Sequence, residues 1–255
     1  MNYLISASTD IGIKKHTNQD SLFVKMLKGE NCRVVFAVLC DGMGGLAKGE
    51  VASATLVKAF NDWLTYKLPL LLNAPIEDGE IRRQWEEIIF TYNQKLMDYG
   101  CSCGVNLGTT VTALLLTDTR YFIVNVGDGR AYEISDALRQ ITIDQTVVMQ
   151  ELRMGIISPE KAANDPRQNV LLQCVGASEV LVPDFFFGQT KQHAVYMLCS
   201  DGFRHQTTPE ELYYSLEPNR MTSPELMKQQ ELMLIDVNKQ RDEHDNISVI
   251  TIRTY

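Results

Sequence analysis

Four aspartates stand where strongly apolar runs begin or end. Asp41 follows the run 34–40, Asp128 follows 121–127, Asp201 follows 194–200, and Asp245 with Asn246 opens 247–252. Continuous apolar runs mark buried strands, so each carboxylate lies where a sheet surfaces. If those strand ends share one edge, the carboxylates converge. Two unit charges about 4 Å apart repel by roughly 4 kcal/mol at an effective dielectric near 20, so such a cluster needs cations or protons to persist. A polynuclear site built only from oxygen ligands favours Mg2+ or Mn2+ over Zn2+ or copper. Asp-Gly is also a common turn dipeptide, and Asp78-Gly79 reads as just that. What sets the four apart is the strand context that recurs at each.

The elements that must deliver those ends are legible in the patterning. Strands are predicted over 3–8, 21–27, 32–40, 109–117, 121–126, 131–134, 140–143, 182–188, 195–199 and 247–254. The links 117–120 and 127–130 are too short for crossover helices, so the sheets read as mainly antiparallel. Helical spacing recurs over 50–64 and over 79–99, the latter through Ile81, Trp85, Ile88, Ile89, Tyr92 and Leu96. Thr208-Pro209-Glu210-Glu211 combines an N-cap, a first-turn proline and a glutamate at the third helical position. Ser223-Pro224-Glu225 opens a last helix toward Arg241. Strand runs flanked by helix pairs, without regular alternation, predict an α+β fold in which two packed sheets carry helices on their outer faces.

No Pro/Gly/Ser-rich linker divides the 255 residues, which predicts a single domain over 1–255. A net charge of −8 argues against nucleic acid as the main partner and suits a protein that concentrates cations. The longest apolar stretches, about nine residues, fall short of the roughly 20 that span a bilayer. No basic region precedes a signal-like run at the N-terminus. The expectation is a soluble, cytoplasmic protein with no membrane partner. Cys32, Cys40, Cys101, Cys103, Cys174 and Cys199 fall mostly inside apolar runs and read as free, packed thiols. None has an arginine at the C-x5-R spacing of a thiol phosphatase, and Cys101-Ser102-Cys103 lacks the second pair that a zinc site needs.

Taken in order, Asp10-x-Gly12-x-x-Lys15-x-x-Asn18-Gln19-Asp20, Asp41-Gly42-Met43-Gly44-Gly45 with Gly49-Glu50, Gly108-Thr109-Thr110, Val126-Gly127-Asp128-Gly129-Arg130, Leu198-Cys199-Ser200-Asp201-Gly202 and Asp245-Asn246 resemble the metal-dependent protein phosphatases of the 2C (PPM) family. Nearly the whole chain is covered. The resemblance implies a four-layer αββα sandwich, a centre of two Mg2+ or Mn2+ ions, and hydrolysis of phosphoserine and phosphothreonine by a metal-bridging hydroxide, without a phosphoenzyme. It implies phosphoprotein substrates, shared with an opposing serine/threonine kinase. Carried over, Asp41 resembles the carboxylate bridging both ions and Gly42 the donor of a main-chain carbonyl. Asp201 and Asp245 resemble ligands of the other ion, and Asp20 the acidic residue beside the bridging water. Asp128 resembles the ligand of a weaker third ion found in many members.

Departures from the family pattern carry their own expectations. Lys15 stands where an arginine usually contacts substrate phosphate, and supplies charge without the two-pronged geometry. Gln19 replaces a common glutamate, which removes one charge from the ion site. Met43 replaces a histidine found in animal members, as in many bacterial ones. Gly129 replaces the usual serine. His205 stands where a further aspartate commonly contributes near the third ion, and reads as a surface residue with metal binding as the alternative; His244 reads as a neighbour of Asp245 and not a ligand. The segment 154–168, punctuated by Gly155, Ser158-Pro159 and Asp165-Pro166, resembles the flap beside the active site of bacterial members. Two other functions use the same residues: a phosphatase-like binding module with little turnover, and a hydrolase of small phosphoesters.

Overall fold

The computed structural model describes residues 1–29, 33–43 and 48–255. Cys32, Gly44 and Gly45 lie outside them. The described residues form ten strands: β1 (Tyr3–Asp10), β2 (Asp20–Lys28), β3 (Arg33–Asp41), β4 (Val111–Leu116), β5 (Arg120–Val126), β6 (Arg130–Ile134), β7 (Leu138–Gln140), β8 (Asp184–Gln189), β9 (Val195–Cys199) and β10 (Ile247–Thr254). They form two five-stranded sheets, in the orders β1-β10-β9-β6-β7 and β2-β3-β4-β5-β8. Every pairing is antiparallel. The α+β sandwich expected from the patterning is therefore observed.

Alternation along β3 shows how the layers are stacked. Val35, Ala37 and Leu39 face inward and pack with Leu114, Ile123, Tyr196, Leu198, Ile250 and Ile252 between the sheets. Val34, Phe36, Val38 and Cys40 face outward, against Phe60, Trp63, Trp85 and Ile89 of the helices α1 (Gly49–Tyr66) and α3 (Asp78–Cys103). A short α2 (Leu68–Leu71) links them. A strand buried on both faces must be apolar throughout, which is why this run carries no alternation of polarity.

On the far side, Tyr132, Met197, Cys199 and Val249 pack against Leu212, Leu216, Leu234 and Ile235. Those last four come from α7 (Pro209–Leu216) and α8 (Pro224–Gln240). The start of α7 is the predicted capping box, with Thr208 Oγ1 accepting from Glu211 N at 3.2 Å and Glu211 Oε2 accepting from Thr208 N at 2.9 Å.

The strand expected over 140–143 is displaced, since β7 ends at Gln140. Ala131 N donates to the Thr142 hydroxyl at 3.0 Å instead of to a main-chain carbonyl. A side chain there takes over the ladder, and the strand stops. Sequence patterning also passed over α4 (Val147–Arg153), capped by Thr146, and the single turn α6 (Asp201–Arg204). The flap-like segment holds one short helix, α5 (Pro159–Ala163), capped by Ser158.

Candidate metal centre

All the acidic positions lie at one end of the sandwich. Asp20 opens β2 and Asp41 closes β3, and the two are direct cross-strand partners. Directly opposed residues share a face. Counting in twos from Leu39, that face is the one between the sheets. Asp201 follows β9 and Asp245 precedes β10, so the second sheet delivers its carboxylates to the same end. Asp128 sits on the link from β5 to β6, which crosses from one sheet to the other.

The main chain around these residues is tightly held. Asp41 N donates to Thr110 Oγ1 at 3.0 Å, and Asp41 O accepts from Thr110 N and Thr109 Oγ1, both at 2.9 Å. Asn246 Oδ1 accepts from Gln19 N at 2.9 Å while its Nδ2 donates to Ile11 O at 2.9 Å, tying the link 11–19 to the start of β10. At Gly42 an added Cβ would stand 2.4 Å from Gly49 O and 2.5 Å from Gln19 O, so only glycine lets these three segments meet.

Electrostatics set this end of the molecule apart. Both oxygens of Asp20 and Oδ1 of Asp201 are buried without a well-formed hydrogen bond. Burial, with the charges of Asp201 and Asp245, pushes the Asp20 carboxyl up to about 7, although the nearby Ser248 and Ser200 hydroxyls pull against it. Asp41 is held well above the usual carboxylate range by burial and by Asp20, Asp201, Asp128 and Asp245. Asp128 is likewise raised to about 7 by burial and Asp201, with Arg204 and His205 opposing. Such uncompensated, oxygen-only clusters are what hard cations relieve.

Among the described residues, no three His, Cys, Asp or Glu side chains are grouped so that together they could hold a metal ion. Mg2+ in particular keeps several waters and takes only one or two carboxylates, so an open arrangement fits it. Lys15 Nζ lies 2.9 Å from Asp245 Oδ1, so that carboxylate already has a cationic partner. Partial burial opposes the Lys15 ammonium, but Asp245, Asp41 and Asp201 outweigh it and raise its pKa. Beside the cluster lies a polar cleft of about 710 Å³, lined by Lys15, Asp165, Asn169, His205, Glu243 and Asp245.

Comparison with known proteins gives the same reading. The family model described as protein phosphatase 2C matches residues 13–150. The serine/threonine phosphatase stp of Listeria monocytogenes serovar 1/2a is 32% identical over 248 residues, covering 96% of this chain and 93% of its own. The chain belongs to the protein phosphatase 2C family. The serine/threonine phosphatase Stp1 from Staphylococcus aureus superposes with a TM-score of 0.82 at 26% identity, covering 98% of this chain and 94% of that one. The catalytic domain of PstP, solved with two manganese ions, superposes with a TM-score of 0.74 at 24% identity, covering 99% of each chain.

Within this 2C-type framework the departures take on definite geometry. Lys15 is engaged with Asp245 rather than free. Gln19 Nε2 donates to Glu50 Oε2 at 3.2 Å, so its amide neutralises nothing but anchors the start of α1. His205, expected on the surface, is wedged 3.6 Å from Asp201 Oδ2 and 3.4 Å from Glu243 Oε2. Burial lowers its pKa, but Glu243 and Asp201 raise it further. His244 does remain peripheral, 2.9 Å from Asp242. Sequence reasoning passed over Arg204, Asp144 and Glu243 altogether. Arg204, three residues after Asp201, was the one with a local signal: a single turn separates the two.

Proposed function

We propose that this chain removes phosphate from phosphoserine and phosphothreonine in proteins, working as one domain over residues 1–255. The setting is the bacterial cytoplasm, in opposition to a serine/threonine kinase. Family membership makes the activity metal-dependent, and the named phosphatases among its relatives support the substrate class. The relatives are bacterial, and among the described residues no helix is long and apolar enough to cross a membrane. The observation that carries the reading is the convergence of Asp20, Asp41, Asp201 and Asp245 from both sheets, with buried oxygens left unpaired on Asp20 and Asp201.

Two hard cations, Mg2+ or Mn2+, suit this donor set. Asp41 and the Gly42 carbonyl would hold one, and Asp41 with Asp201 and Asp245 the other. When bound, such ions supply water of lowered pKa and offset charge on the phosphoryl oxygens. The chain's own residues do the rest. Asp20, whose two carboxylate oxygens are buried directly across from Asp41, would orient the attacking water and accept its proton. Lys15 holds Asp245 in the ion-free state; once Asp245 has another partner, the ammonium is free to meet substrate phosphate at the rim of the cleft. Thr109 and Thr110 keep Asp41 in place by its main chain.

The test compares a phosphothreonine peptide with p-nitrophenyl phosphate, with and without Mn2+, for the wild-type chain and Asp41→Ala. Mn2+-dependent turnover of the peptide that disappears in the variant is the expected result. Turnover of p-nitrophenyl phosphate alone would refute the protein-phosphatase reading in favour of a small-phosphoester hydrolase. Silence on both would leave a binding module.

A further inference from the structure

Members of this family often hold a weaker third ion on the aspartate that Asp128 matches, helped by a further aspartate where His205 stands. The residues around Asp128 do not suit a cation. Arg204 Nη2 lies 3.7 Å from Asp128 Oδ2 and 3.5 Å from Asp144 Oδ2, and donates to the Asp128 main-chain oxygen at 3.3 Å. The Arg204, Asp128 and Asp144 side chains are all close to fully buried. Asp144 is further saturated by Arg130, whose Nε donates to Oδ1 at 2.8 Å and whose Nη2 donates to Oδ2 at 2.7 Å. Gln140 Nε2 adds a bond to Oδ1 at 3.1 Å. Asp128 thus already faces a buried guanidinium that it shares with Asp144, and a cation placed there would meet the positive charge of Arg204. The aspartate that would complete an ion site is replaced by His205, whose ring lies between Asp201 and Glu243.

We infer that Arg204 takes the place of the third ion, so that this phosphatase works with two ions and a built-in guanidinium. The inference rests on the two-ion reading above. Arg204 is a positioning residue. From α6, directly after Asp201, it reaches back to the Gly127-Asp128 link and joins the second sheet's ion-binding end to the link from the first. An ion can exchange with solvent, whereas a side chain cannot. The geometry around Asp128 should accordingly not vary with ion concentration, unlike the geometry around Asp41 and Asp245.

Counting ions tests this without relying on activity. Mn2+ is titrated into the full chain and the free ion is read by electron paramagnetic resonance. The wild type should saturate at two ions, and Asp128→Asn should also bind two. The double variant Arg204→Ser with His205→Asp should gain a third, binding at least about 100-fold more tightly there than the wild type does. Arg204→Lys, which keeps the charge, should stay at two. Three ions in the wild type, falling to two in Asp128→Asn, would overturn the inference and leave the two-ion centre standing. A folded double variant that still binds only two would also overturn it. No ion bound by the wild type would overturn the metal-centre reading itself, and this inference with it.

Discussion

The carboxylate cluster should make the ion-free protein less stable as pH rises, and ions should reverse the trend. Asp20 and Asp128 have folded-state pKa values near 7 against an ordinary 3.8. A carboxyl whose pKa is raised on folding binds its proton more tightly in the native state. Its penalty is therefore absent below the ordinary value and builds as pH climbs from about 4 to about 7. A shift of about 3 units corresponds to roughly 4 kcal/mol. We assign that amount to the cluster as a whole, because coupled carboxylates give up their protons jointly. In a chain of this size it amounts to roughly 10 °C of melting temperature.

The assay is thermal melting in chelator and in excess Mn2+, at about pH 5.5 and about pH 8, a window above the range where the lowered carboxylates titrate. In chelator the protein should melt lower at the higher pH. The gain on adding Mn2+ should be larger there, since at the lower pH the ion competes with protons. His205 also has a raised pKa and also stabilises less as pH rises, so Asp20→Asn separates the two. That variant should melt higher than the wild type in chelator at the upper pH and lose most of the slope, while losing turnover. Equal melting of the ion-free wild type at both pH values, or an ion effect independent of pH, would refute the reasoning.

Other outcomes follow from single contacts. Lys15→Ala releases Asp245 from its 2.9 Å partner; KM for a phosphothreonine peptide should rise about 10-fold or more, with Mn2+ affinity equal or tighter. An unchanged KM would discard the phosphate role. Glu231 is buried and accepts from Ser6, Ser8 and Thr251 at 2.8, 2.6 and 2.6 Å. Glu231→Ala should cost roughly 3 kcal/mol of stability in denaturant unfolding, with kcat at room temperature preserved. At Gly202 an added Cβ would stand 2.3 Å from Asn246 O and 3.4 Å from Asp245 Cβ. Gly202→Ala should displace Asp245, lowering Mn2+-dependent turnover about 100-fold or more alongside roughly 1–3 kcal/mol of stability; a near-normal kcat would show that Asp245 does not need that contact.

What could be read in advance depended on whether the signal was local. β3 and β9 announce themselves because burial on both faces demands unbroken apolar runs, β5 and β10 because theirs are interrupted only by Asn125, Ser248 and Thr251 before the strand ends, and α7 because its capping box lies within four residues. Helix α4 was hidden, because Val147-Val148 is a β-branched pair that reads as strand while the cap from Thr146 decides otherwise. Asp20 was carried only by the family resemblance, whereas the positions of Asp41, Asp128, Asp201 and Asp245 were legible from strand ends. Their surroundings were not. Arg204 meets Asp128 across 76 positions of chain, and only the adjacency of β9 and β6 brings them together. Lys15 meets Asp245 only because the first and last strands are neighbours in the sheet, with Asp10 opposite Ile247. His205 was expected on the surface because no local pattern reveals that Glu243 returns to it from beyond α8.

The same long-range arrangement explains why the fold tolerates so much unrelieved charge. Asp20 and Asp41 oppose each other within one sheet, Asp201 and Asp245 flank strands of the other, and Asp128 lies on the link between them, so part of the repulsion acts across the interface between the sheets. That interface is filled by Val35, Leu39, Leu114, Leu116, Ile123, Leu198, Ile250 and Ile252, all essentially inaccessible to solvent. Each such side chain contributes roughly 1.5–3 kcal/mol on burial, so three or four of them outweigh a cluster penalty of several kcal/mol. The sheets therefore stay together without ions, and the carboxylates stay close while unneutralised. An incoming cation then meets donors that are already gathered and still short of a partner.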